Sequence, residues 1–148
     1  MKRFSMPLVL ALAALSVLAA GTPAHAGERA FKASGEGTVD DIDRLQGLGQ
    51  ATHLGRSVLR LRLDATDLFN GNSIPGYGSL SSASGEVLYF HVMDPYYFDP
   101  ATGVVIATLT FTGGSGRFQD ATGSADVMFV FDVYLQHFVF LIDGSIDY

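Results

Sequence analysis

Few side chains in this chain could do chemistry. It has no cysteine and four histidines. Thiol catalysis is therefore impossible. His25 belongs to an N-terminal targeting segment described below. The remaining histidines, His53, His91 and His137, are too scattered to match any zinc-ligand spacing. No metal and no cofactor is expected. The most suggestive pair is Tyr89 and His91, two residues apart in the run Val87-Leu88-Tyr89-Phe90-His91-Val92. On a strand that spacing puts both rings on one face. Such a pair could orient a polar group of a bound molecule or move a proton. The alternative is a buried, hydrogen-bonded histidine with a purely structural part. Arg62 joins Tyr89 and His91 as a candidate ligand-binding residue if its own strand face looks into a lumen.

Other constellations fail on local chemistry. Gly113 to Gly123 is glycine-rich, but it has no lysine and runs into a strand pattern, so it is not a phosphate loop. Ser115 lies in Gly-Gly-Ser-Gly-Arg, which does not match the Gly-x-Ser-x-Gly elbow of a serine hydrolase. The cluster Asp40, Asp41 and Asp43 has no central glycine or distal glutamate at calcium-loop spacing and reads as a solvated charged turn. The chain lacks tryptophan, so the early Gly-x-Trp of a lipocalin is missing. No catalytic set emerges. Tyr96, Tyr97 and Phe98 sit between two Asp-Pro steps and read as a connection. They could lid a barrel mouth, stack on a sugar or meet a neighbouring subunit.

The elements that must position these residues follow from periodicity. Lys2 and Arg3, the apolar run Leu8 to Ala20 and the Ala24-His25-Ala26 site together make a secretory signal peptide, residues 1–26. Residues 27–148 then form one domain in the periplasm or outside the cell. Export without cysteine fits a bacterial protein stabilised by a packed core. The mature chain carries seven basic and fifteen acidic residues, a net charge of −8. That excludes a nucleic-acid binder and opposes docking on anionic membrane. Eight strand-like runs follow one another, the first from Arg29 to a Gly-Glu-Gly end at Gly37, while Leu68 to Gly78 reads as a surface loop, and no helical pattern rivals them. Ser57 to Ala65 alternates Leu59, Leu61 and Leu63 with Arg60, Arg62 and Asp64, a half-buried strand whose charged face meets water or a polar lumen. The stretch Thr112 to Gly123, with Phe118 among glycines, reads as a hairpin connection whose aromatic plugs one end. Val104 to Ile106, Met128 to Phe131 and Phe138 to Ile142 are apolar on both faces. Their outer faces need cover. Lipid is excluded by the lack of a sustained dyad pattern and of aromatic girdles. A neighbouring copy is the economical cover, and a second sheet of the same chain is its rival.

The pattern Gly113-Gly114-Ser115-Gly116-Arg117-Phe118 followed by Ala121-Thr122-Gly123, with Gly49 to Gly55 earlier, resembles the allene oxide cyclase and dirigent superfamily. It also resembles a broad set of exported bacterial proteins related to them. The resemblance implies an all-β fold, an eight-stranded antiparallel barrel of the calycin-like kind, often assembled as trimers. It further implies an interior cavity for a small apolar molecule. The plant cyclases act on a fatty-acid epoxide, and dirigent proteins orient phenoxy radicals. Two functions follow as expectations. One is a barrel that binds a small apolar ligand or serves as an oligomeric scaffold. The other is an isomerase or cyclase acting on a fatty-acid-derived or phenolic molecule.

Overall fold

The structure is a computed structural model that describes residues 27–41, 43–63, 76–132 and 134–148. Residues 1–26, read as a signal peptide, and the connection 64–75 lie outside the described residues, as do the side chains of Met93, Asp94, Pro95, Tyr96 and Phe98.

Eight antiparallel strands follow chain order and close into a barrel. They are β1 (Glu28–Asp41), β2 (Arg44–Ala51), β3 (Gly55–Leu63), β4 (Gly76–Ser82), β5 (Val87–Asp99), β6 (Val104–Gly114), β7 (Thr122–Asp132) and β8 (His137–Asp147). Closure comes from β8 pairing with β1 along Glu28↔Asp147 to Thr38↔His137. A closed sheet has no free edge, so every strand's backbone is paired without help from helices. The chain's end in strand pattern is therefore what seals the barrel.

Alternation decides what fills it. Leu59, Leu61, Leu80, Leu88, Phe90, Leu109, Phe111, Val127, Ile142 and Ile146 point inward and are buried. Ser57 is the one buried polar residue among those described. The inner wall is fitted, ring against glycine. A Cβ on Gly78 would lie 2.6 Å from the Phe90 ring, and one on Gly35 would lie 2.8 Å from the Phe140 ring. The large rings occupy the room that the glycines leave, which is how a small barrel reaches interior packing density. Phe129, Phe131, Phe138 and Phe140 continue this as a chain of ring contacts 5.7–6.2 Å apart.

One end is closed by the β6–β7 connection. It contains a single 3-10 turn, Gly116–Phe118, and Gly116 has φ +58°, a conformation that glycine adopts without strain. Phe118 is fully buried and its ring stands 4.8 Å from that of Tyr148. The plug read from the sequence is thus in place. Ser115 ties the connection to β5: its hydroxyl accepts the Val87 N–H at 2.9 Å, and its own N–H bonds the Val87 carbonyl. Arg117 covers the plug. It pairs with Glu86 at 3.1 Å, donates to the His53 carbonyl and lies over the Phe118 ring at 4.9 Å. His53, with φ 69°, anchors the β2–β3 turn through a 3.0 Å bond between Nε2 and the Ala30 carbonyl.

Three elements differ from the sequence reading. Asp94 to Asp99 is strand, not connection, and lies in β5. Its register against β6 shifts between Val92 and Pro95 and again between Pro95 and Tyr97. Irregularities of this kind are where a strand tolerates proline, which has no N–H to give the ladder. Gly76 to Gly78, the end of the stretch that reads as loop from Leu68, belongs to β4. Gly35 and Gly37 do not end β1, which runs on to Asp41.

Candidate functional site

The polar side chains collect on the outside of β2–β5. Register fixes which ones meet. Arg44 pairs with Arg62, Arg62 with Tyr77 and Tyr77 with His91, so one lateral row runs Arg44–Arg62–Tyr77–His91 over four strands. The adjacent row is Gln46–Arg60–Ser79–Tyr89. All eight face away from the core, because their neighbours Leu45, Leu61, Leu80 and Phe90 point into it.

These two rows line a groove of about 590 Å³ on the outer surface, with Asp40 and Thr112 at its ends. Its size falls within the usual range for a small-molecule site, ~300–1,000 Å³. Tyr77 and Tyr89 are 61 % and 50 % exposed, offering ring faces to a ligand. The Tyr77 and His91 rings are tilted against each other, with centroids 6.1 Å apart. Asp43 sits beside the groove and holds two guanidiniums, Arg62 at 3.6 Å and Arg44 at 3.8 Å. Exposed pairs of this kind contribute little stability, but they restrict where the guanidiniums point. Arg60, between the two tyrosine-bearing strands and β2, has no ion-pair partner among the described residues.

Arg62, Tyr89 and His91 therefore do come together, but around an external groove and not in a lumen. The reason is parity. Leu61, Leu88, Phe90 and Val92 are buried, so the residues between them on each strand must face out. His91 is solvent-exposed, which removes the reading of a buried structural histidine. Arg60, on the charged face of its strand in the sequence, lies on the same surface, together with Arg44 and Tyr77, which the sequence does not single out. The period-two spacing of Arg60 and Arg62 was a signal for them, whereas Tyr77 lay in a stretch read as loop. Among the described residues no group of His, Cys, Asp or Glu is arranged to hold a metal ion.

The opposite side of the barrel is different. Val104 and Ile106 on β6, Met128 and Val130 on β7, and Val139 and Leu141 on β8 face outward in two adjoining rows. Val139 is 41 % and Leu141 50 % exposed. Tyr134 and Leu135, at the tip of the β7–β8 hairpin, are more exposed still. Lys32 and Asp143 form an ion pair of 3.3 Å at the border of this apolar surface. No family model, no curated protein and no solved structure matches the chain.

Proposed function

We propose that residues 27–148 form an exported, non-catalytic barrel that acts as a homo-oligomeric scaffold. The observation that carries this is the outward apolar surface of β6–β8, where Val139 and Leu141 are exposed and Val104, Ile106, Met128 and Val130 are half-buried among the described residues. A surface that combines Ile106, Met128, Val130, Val139 and Leu141 resembles the core of an interface more than ordinary wetted sheet. The side-chain-filled interior supports the scaffold over a lumenal apolar ligand, because large buried rings occupy the space such a ligand needs.

A second copy of the same chain suits the apolar surface. Asp126 on β7, Asp143 on β8 and Lys32 on β1 lie at one level across three adjacent strands. A two-fold axis along β8 would set Lys32 of each copy opposite Asp126 of the other while the β8 valine and leucine meet their own counterparts. Such a contact is isologous and closes at two copies. The resemblance to the cyclase and dirigent superfamily implies three instead, and the mass of the assembly decides between them. The test is Leu141→Asp, which puts a charge on β8, where the two copies would meet, without touching the core. Light scattering should give an oligomer for the native mature protein and a folded single chain for the variant. An unchanged oligomer in the variant would remove this surface from the assembly.

A further inference from the structure

We infer that the groove on β2–β5 is a binding site for an acidic saccharide, with a carboxylate held by Arg60 and sugar rings packed on Tyr77 and Tyr89. This inference uses the side of the barrel away from β6–β8 and does not depend on how the chain assembles.

Charge is the first argument. The mature chain is strongly acidic, yet Arg44, Arg60 and Arg62, three of its seven basic residues, lie within two neighbouring strands and face one groove. Asp43 engages Arg44 and Arg62, and among the described residues Arg60 is the cation of this groove with no ion-pair partner. The other carboxyl that lines the groove, Asp40, accepts the Thr38 hydroxyl at 3.0 Å. A guanidinium presents a planar fork of donors that matches a carboxylate in two-point contact. The groove thus offers one open guanidinium for a two-point contact with a carboxylate.

Ring surface is the second argument. Tyr77 and Tyr89 stand on adjacent strands in adjacent rows, with Ser79 and His91 as their cross-strand partners. Both rings keep half or more of their surface open. Exposed aromatic faces beside hydroxyl, amide and imidazole groups suit a ligand with apolar C–H faces and hydroxylated edges. A pyranose ring has both. A fatty acid would leave Gln46, Ser79 and His91 facing methylene groups, and those polar groups lose hydrogen bonds to water without return. A uronic acid oligosaccharide offers ring faces, hydroxyls and carboxylate in one molecule of the groove's size.

The probe is a trigalacturonate, titrated calorimetrically into the purified mature protein beside its methyl ester, a neutral trisaccharide and a short polyglutamate. The trigalacturonate should bind, and the ester and the neutral sugar should bind about tenfold or more weakly, as loss of one charge-assisted contact implies. Arg60→Ala should lower affinity for trigalacturonate roughly tenfold but leave the weak neutral-sugar binding in place, and Tyr89→Phe should retain most of the affinity that Tyr89→Ala loses. Both sites are exposed, and matching thermal melts will show that the variants remain folded. Equal binding of acid and ester, equal binding of polyglutamate, indifference to Arg60→Ala, or no heat with trigalacturonate at millimolar concentration would each overturn the inference.

Discussion

Removing the plug should cost the barrel a large share of its stability. In Phe118→Ala the lost ring is fully buried, and it gives up the contact with Tyr148 at 4.8 Å and the cover of Arg117 at 4.9 Å. Truncating a buried phenylalanine costs about 3–5 kcal/mol, the sum of lost transfer energy and a cavity that the surroundings fill only in part. The lower end of that range presumes that the 3-10 turn collapses inward. The upper end applies if it cannot. Ser115 is bonded to Val87 on both its hydroxyl and its N–H, and Arg117 is fixed by Glu86, so the turn has little freedom to sink. The upper half of the range is therefore expected. For a domain of this length the corresponding fall in Tm is roughly 10–20 °C. Urea unfolding followed by far-UV circular dichroism, at one fixed protein concentration, measures it directly. The concentration must be fixed because assembly would add to apparent stability. Phe118→Leu, which refills most of the volume, should recover more than half of the loss. A Phe118→Ala penalty below about 1 kcal/mol would refute the plug, since it would mean that the ring contributes no more than a surface residue.

Other consequences follow from particular contacts. Gly78→Ala places a Cβ 2.4 Å from the Arg60 carbonyl and 2.6 Å from the Phe90 ring, and should destabilise by about 1–3 kcal/mol in the same urea assay, with no effect meaning that the inner wall is looser than the glycine–ring fit requires. Asp99 is held below its ordinary pKa of 3.8, first by the Thr102 hydroxyl and then by the Ala101 N–H. A depressed carboxyl pKa means that the β5–β6 turn gains stability above the ordinary value and loses it as pH falls through the acid range below it. NMR titration of the Asp99 carboxyl should show a midpoint below 3.8, and Thr102→Ala should move it upward. A midpoint unmoved in Thr102→Ala would show that the hydroxyl does not hold it.

Much of the architecture can be read from the residue pattern. The Leu59–Leu63 alternation puts leucines inside and arginines outside, and burial has them there. The hairpin with Phe118 works because glycine and a lone aromatic between two apolar runs leave few other arrangements. Other parts need three dimensions. Gly35 and Gly47 resemble punctuation in one dimension, yet they are inner-wall positions that make room for the Phe138 and Phe140 rings, and Gly37 lets the β2 backbone at Gln46 and Gly47 come close. Asp94-Pro95 breaks helix and suggests a break in strand as well, whereas pairing with β6 carries the chain through by shifting register. The groove was only partly legible for the same reason. Parity assigns Arg62, Tyr89 and His91 to faces of their own strands, but only the pairings Arg62↔Tyr77 and Tyr77↔His91 bring them to one place, and only barrel closure says which side is outside.

The central claim is that one flank of this barrel is made to be covered by another copy of itself. Sedimentation equilibrium of residues 27–148 over a wide dilution range tests it most directly. A mass of two or more chains that dissociates reversibly on dilution is the expected result. A single chain throughout, at concentrations up to the millimolar range, would contradict it.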